Sequence, residues 1–465
     1  MDVLLRRLDV EGWRSHSGVG RLLGLLQGWQ EKSWLGRWLP HCAALLVGLV
    51  LVLAPLMPSG MIGMLLAAGG GFWLLWTLAG EREGRWSGVH LLVLLYWGIA
   101  LLATVLSPVP RAAMVGLSKL TLYLLFFALA ERVMRNERWR SRLLTVYLLT
   151  ALLVSVEGIR QWIFGAEPLA TWTDPESALA NVTRVYSFLG NPNLLAGYLL
   201  PSVPLSAAAI AVWRGWLPKL LAVVMLGMNT ASLILTFSRG GWLGLVAATI
   251  AGVGLLGIWF WPRLPLQWRR WGVPTVGGLA IALCIGAIVS VAPLRERAAS
   301  IFVARGDSSN NFRINVWTAV QQMIWARPWL GIGPGNVAFN QIYPLYQVNV
   351  RFTALSAYSI FLEILVEVGV MGFSVFLWLL AVLADRAWRC LQALRTRANP
   401  QGFWLMGAVA TMVGMLTHGL VDTIWFRPEV ATLWWLMVAI VASFAPLADR
   451  TENTAANGLD AEPST

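Results

Sequence analysis

Long apolar runs, separated by short polar breaks, set the rhythm of this chain. They fall at roughly 40–57, 61–79, 89–106, 112–130, 143–163, 193–212, 219–237, 241–261, 273–292, 357–384, 403–420 and 430–447. Each is near the roughly 20 residues that a helix needs to cross a bilayer. Barrel strands would be shorter and would alternate, so continuous runs predict helices. The split between 219–237 and 241–261 depends on Ser238-Arg239-Gly240-Gly241 acting as a break in one apolar stretch. The pattern therefore predicts an all-α polytopic membrane protein of about 12 transmembrane helices with one large external helical loop.

The same pattern divides the chain. Residues 1–38 form a basic amphipathic segment, too polar for a cleavable leader and suited to the membrane surface. Nine spans follow in 39–292, then a long polar insert at 293–355, three spans in 356–448, and a disordered tail at 449–465. The insert contains one helix by periodicity, 311–325. Its stripe of Phe312, Val316, Ala319, Val320, Met323 and Ile324 is expected to rest on the membrane.

Composition agrees with the pattern. Hydrophobic residues make up 57% and charged ones 12%, about half the charge of a soluble domain. The net charge of +12 would suggest nucleic acid in a soluble protein. Here the arginines sit in short loops between spans, where they set orientation, and no nucleic-acid partner is expected. With the N-terminus in the cytoplasm, the inside loops carry Arg132, Arg135, Arg138, Arg140, Arg142, Arg386, Arg389, Arg395 and Arg397 among others. The short outside loops then hold Arg111, Arg184, Arg239 and Arg427. This bias predicts a multi-pass inner-membrane protein with both termini cytoplasmic and the 293–355 insert periplasmic. Cys42, Cys284 and Cys390 lie far apart, without metal-ligand spacing. No metal and no cofactor is expected.

This topology collects the unusual residues on the outer face. Arg239, between two apolar spans, signals an anionic partner, or else an arginine that snorkels or pairs with Glu363 or Glu367. Gly240 would let a ligand or backbone approach. Arg313 lies one helical turn before Trp317. Gly331, Gly333 and Gly335 form a glycine knot that reads as a tight turn, because no Lys and no strand–helix frame make it a phosphate loop. Glu363 and Glu367 stand one turn apart on one face of a span, as structural partners or as a relay. His418 and Asp422 have the same spacing, either as an oriented base or as a helix-end pair.

Taken in order, Ser238-Arg239-Gly240, Arg313-x3-Trp317, Pro328-x2-Gly331-Ile332-Gly333-x-Gly335 and Ser356-Ala357-Tyr358-Ser359-x2-Leu362-x4-Glu367-x-Gly369 resemble the O-antigen ligase and polymerase superfamily. The resemblance implies transfer of a polyprenyl-diphosphate-linked glycan at the periplasmic face, without metal or nucleotide. It assigns Arg239 and Arg313 to the diphosphate. Where that family carries a His-Asn pair, this chain has Tyr358-Ser359. Together with Gly190-Asn191-Pro192-Asn193 and Phe237-Ser238-Arg239-Gly240-Gly241-Trp242, this resembles the inorganic-carbon-accumulation branch from cyanobacteria, described as bicarbonate transporters. Two functions stand as expectations. The first is inorganic-carbon uptake with Arg239 and Arg313 at an outward anion site. The second is glycan transfer with its base elsewhere, His418 and Asp422 being the candidates. The expected partners are membrane lipids and either a small anion such as bicarbonate or a polyprenyl-diphosphate glycan.

The arginine asymmetry gives a direct test of topology. A cysteine introduced at Asn310 should react with an impermeant thiol reagent added outside, and one at Asn136 should not. The reverse labelling overturns the orientation.

Overall fold

The computed structural model describes residues 34–79, 87–166, 184–263 and 308–444, with single positions between 265 and 296. The expected lead-in segment up to Trp34, the 273–292 span, the first part of the insert and the tail lie outside the described residues. Every regular element among the described residues is helical. In chain order these are α1 (Trp34–Leu53), α2 (Ser59–Ala79), α3 (Gly88–Val105), α4 (Pro110–Met134), α5 (Glu137–Phe164), α6 (Pro192–Leu199), α7 (Ser202–Val212), α8 (Trp216–Leu235), α9 (Arg239–Phe260), α10 (Ser308–Ala326), α11 (Asn336–Ile342), α12 (Ile360–Thr396), α13 (Gln401–His418) and α14 (Pro428–Ser443). Among the described residues, 8 segments are long and apolar enough to cross a membrane, with α6 and α7 counted together. Trp38–Leu53 and Pro428–Ser443 are shorter apolar helices.

Helices dominate because each satisfies its own backbone where no water is available. Their breaks are chemical. Asn136 caps α5, its side chain accepting from Arg138 N and Trp139 N. Asn191 caps α6 in the same way, accepting from Asn193 N at 2.8 Å and Leu194 N at 3.2 Å. The break between α8 and α9 is real: Phe237 turns the chain at φ 53, and Ser238 caps α9.

The core sits around α14, which is buried along its whole length. Beside it, α9 and α13 approach closely at Gly244 and Gly414. A Cβ on Gly244 would meet the Gly414 carbonyl at 2.7 Å, the small-residue contact by which membrane helices pack. Leucines at 74, 75, 94, 95, 217 and 220 are exposed and form the lipid-facing surface.

Helix direction alternates, so the ends gather in two layers. One layer is basic and cross-tied. Arg395 donates to the Ile258 carbonyl at 3.1 Å, and Asn399 donates to Glu137 at 3.1 Å. Buried Arg140 lies 3.7 Å over the Phe444 ring and donates to Gln401. The opposite layer carries α10, α11 and every residue singled out in the sequence motifs.

The insert does not rest its apolar stripe on the membrane. Val316, Ala319, Val320 and Met323 are buried in a small core with Ile332, Phe339, Ile342 and Tyr343, closed from below by Val366 of α12. The physical reason is that the glycine knot and α11 fold back under α10 and offer a protein surface to that stripe. Trp325 and Trp329 are the exposed aromatics of this region.

The knot works together with a break in α12. Gly369 has φ 64 and ψ −171, inside an otherwise helical run. The carbonyls freed by the break accept from the knot: Ile332 N bonds Val366 O, and Gly333 N bonds Glu367 O, both at 2.9 Å. The freed amides donate to the loop before it, Val370 N to Pro328 O at 2.8 Å and Met371 N to Trp329 O at 3.3 Å. The two separated motifs are thus halves of one backbone junction. Gly369→Ala would put a Cβ 2.2 Å from the Trp329 carbonyl in a left-handed backbone. We expect a loss of at least about 2 kcal/mol, read as a lower melting temperature in detergent. Wild-type stability would refute this account of the junction.

Candidate functional site

The site is assembled at the entries of three helices. Ser238 Oγ accepts from Gly241 N at 3.3 Å, which starts α9 with Arg239 as its first residue. Arg239 is buried, 8% exposed. Gly240 makes room for His418: a Cβ there would lie 2.6 Å from the imidazole Cδ2. His418 closes α13 and is wholly buried. Neither of its ring nitrogens has a hydrogen-bond partner among the described residues.

Arg313 reaches into the same region from α10. Its Nε donates to the Val421 carbonyl at 2.8 Å, and one terminal nitrogen donates to Ser309 Oγ at 2.6 Å. The other lies 3.8 Å from Asp422 Oδ2. That contact is longer than a charge-assisted hydrogen bond, so this edge of the guanidinium fork is loosely held. Arg313 and Asp422 both act electrostatically on His418 and on Tyr358. Trp317 Nε1, one turn along α10, donates to the Ala357 carbonyl at 3.0 Å and fixes the segment before α12.

Tyr358 stands in that segment with φ 50, a conformation that bulky residues rarely adopt. Its ring packs edge-on against Phe312 at 5.3 Å. Burial pushes its phenol up to about 12; Asp422 and Glu363 add to the shift and Arg313 opposes it. Tyr358 is therefore a neutral donor near pH 7. After it, Ile360 N donates to the Gly419 carbonyl at 2.7 Å, which ties α12 to the end of α13.

Two pairs singled out in the sequence are resolved here. Of the two roles open to Glu363 and Glu367, the structural one is seen, and the groups they hold are backbone amides and a hydroxyl. Glu363 Oε2 accepts from Ala357 N at 2.5 Å and from Thr423 Oγ1 at 3.4 Å. Glu367 Oε1 accepts from Gly335 N at 2.6 Å. The carboxylate facing Arg313 is Asp422. For the same reason the proposed His418–Asp422 couple is not formed. The helix stops at His418, and Val421 N turns back onto its carbonyl. Asp422 is thereby carried off the helix face toward Arg313.

The amides of Gly331, Gly333 and Gly335 are committed within the protein, to Arg327 O, Glu367 O and Glu367 Oε1. Gly333 packs against Ala113 of α4, and Gly335 against the Gly116 backbone, where a Cβ would lie 2.5 Å from Cα. Ser107 Oγ donates to the Ile332 carbonyl and anchors the knot from the end of α3. Sequence reasoning missed Ser107, Ser309, Thr423 and the Val421 carbonyl. Adjacency gave a signal for the last two, which flank Asp422. Ser107 had none, since its partner is 225 positions away.

Chemically, the region offers a partly committed guanidinium, a carboxylate and a neutral phenol, and Arg239 starts the helix whose Gly240 meets His418. Among the described residues, no group of three or more His, Cys, Asp or Glu side chains is placed to hold a metal.

Residues 205–377 match the family model described as O-Antigen ligase. The matched stretch contains Arg239, Arg313, the knot, Tyr358 and the Gly369 break, and it stops short of His418 and Asp422. No curated protein matches the chain significantly.

Because the Tyr358 pKa is raised, the phenol is neutral in folded and unfolded chains alike below about pH 10. Above that the unfolded state ionises first, so stability falls only at alkaline pH. Tyr358→Phe should leave the pH profile of activity unchanged between about pH 6 and 9. A profile that loses a limb in that range would make the hydroxyl a proton-transfer group.

Proposed function

We propose that this multi-pass membrane protein acts on a polyprenyl-diphosphate-linked glycan at the periplasmic face of the inner membrane, as an O-antigen ligase-like transferase. The carrying observation is the Arg313–Asp422 contact beside Tyr358 and the α9 entry, at the layer opposite the basic loops. The ligase-family match over 205–377 supports the reading. Basic loops belong on the cytoplasmic side, which orients the site outward.

In this reading Arg313 and Arg239 bind the diphosphate. A guanidinium matches phosphate oxygens with a fixed fork of donors and stays charged. An acceptor hydroxyl attacks the anomeric carbon. The bond from that carbon to the diphosphate oxygen breaks, and polyprenyl diphosphate leaves with the electron pair. The arginines stabilise the charge gathering on the leaving group, where positioned donors contribute most. We assign Asp422 to take the hydroxyl proton, because His418 is sealed beneath Gly240.

A second reading is kept for one observation. Tyr358 is neutral and His418 has no orienting partner, so the site binds an anion more readily than it moves a proton. Inorganic-carbon uptake, with bicarbonate held by the same arginines, fits that balance.

One experiment separates them. Glycan transfer from a polyprenyl-diphosphate donor and uptake of labelled bicarbonate should be measured in proteoliposomes of the same preparation. Arg313→Lys keeps the charge and loses the fork. It should lower the true activity about 10- to 100-fold, the equivalent of one or two charged hydrogen bonds, at normal protein level. Arg239→Ala should do at least as much. Transfer without uptake supports the first reading, uptake without transfer the second. Full activity in both variants removes the anion site.

A further inference from the structure

Beside α12 lies a cavity of about 140 Å³. It is walled by α3, α4, α12, α14, the glycine knot and the 423–426 segment. Glu363 and Glu367 face it from α12, Lys119 from α4, and Trp425 and Trp434 from its floor. It shares Glu363 with the Arg313 side but contains none of Arg239, Arg313, Tyr358 or His418.

Its chemistry is unusual for a gap between membrane helices. Each carboxyl group commits one oxygen to a backbone amide, Oε2 in Glu363 and Oε1 in Glu367. The second oxygen of each has no hydrogen bond among the described residues. The Trp425 indole N–H is buried and likewise without a partner. Trp425 and Trp434 stack with ring centroids 4.1 Å apart and present a broad aromatic face. Buried polar groups left unpaired are costly, and those within a membrane mark a pathway or a ligand.

The mixture narrows the ligand. Two carboxyl groups oppose an inorganic anion. Lys119 opposes a bare cation. An acyl chain would leave both carboxyl groups unsolvated. A neutral polyhydroxylated ligand meets every demand. Its hydroxyls donate to the carboxyl oxygens and accept from Lys119 and the indole, and its C–H faces lie on the rings. Small-ligand pockets have this character, apolar walls with a few convergent polar groups.

We propose that this cavity is a saccharide subsite that seats one sugar residue of the glycan handled at the Arg313 side. The proposal rests on the glycan-transfer reading for the origin of that sugar, either the lipid-linked donor or the acceptor. Glu363 anchors Ala357, the neighbour of Tyr358, so sugar contact at Glu363 is coupled to the placement of Tyr358.

The test is saturation-transfer difference NMR on the full-length protein in nanodiscs. N-acetylglucosamine, N-acetylgalactosamine and glucose serve as separate probes, with glycerol as control. At least one sugar should bind saturably. Glu367→Gln keeps the acceptor for Gly335 N and replaces the second carboxyl oxygen with an amide nitrogen. It should weaken binding about three- to tenfold, the loss expected for one hydrogen bond. Lys119→Met, at an exposed position, gives a second readout that does not touch the knot and should also weaken binding. Arg313→Ala should leave sugar binding unchanged. If no sugar binds saturably, or if binding survives both cavity substitutions, the subsite is overturned. Sugar binding with these dependences but no glycan transfer would leave the subsite standing and sink the transfer reading. Competition between free sugar and a polyprenyl-diphosphate glycan places the sugar on the donor, and simultaneous binding places it on the acceptor.

Discussion

A backbone group without a partner costs several kcal/mol in a bilayer, and much of the layer opposite the basic loops follows from how one such set is satisfied. The break at Gly369 releases carbonyls and amides in the first third of α12, the longest helix among the described residues. Four backbone hydrogen bonds from residues 328–333 replace them. That repair fixes the glycine knot, and the knot fixes Gly335, whose amide holds Glu367. The same helix presents Ser359 and Tyr358 at its entry, so the position of the Arg313 side descends from the junction as well. A loop far from the membrane by sequence is thereby made part of a membrane helix.

Electrostatics are handled differently at the two ends. In the basic layer, charge is neutralised locally. Glu131 is 1% exposed and lies 2.8 Å from Arg135 and 3.6 Å from His90. Arg140 rests on an aromatic face. In the opposite layer, Arg313 commits donors to a carbonyl and a serine hydroxyl and meets Asp422 only at 3.8 Å. Tight pairing suits anchoring, and loose pairing leaves room for an exchangeable anion.

The fold was largely legible because it is written in local pattern. Apolar length gave the helices, and Ser238-Arg239-Gly240-Gly241 gave the α8–α9 break through its cap and its small residues. What could not be read was tertiary. Spacing of four placed His418 and Asp422 on one helical face, but the helix ends at His418, so the rule had no helix to act on. The stripe on α10 was correctly amphipathic, yet periodicity cannot say whether lipid or protein will cover it. The backbone amides that Glu363 and Glu367 hold could not be read either, because sequence lists charges and hides amides. The Arg313–Asp422 contact joins residues 109 positions apart, and no local rule reaches that far.

The close approach of Gly335 to Gly116 bears on how such a protein can be divided. The segment that carries α10, the knot and α11 looks like a module that could be cut out, expressed alone or exchanged between relatives. Its knot, however, is wedged against α4 with backbone touching backbone, and its hydrogen-bond partners belong to α12. Removed from the bundle, the loop loses the surface that gives it shape, and the bundle keeps a helix with an open wound at Gly369. Loop and bundle therefore form one cooperative unit, and a chimera must carry α4, the knot and α12 together from the same parent.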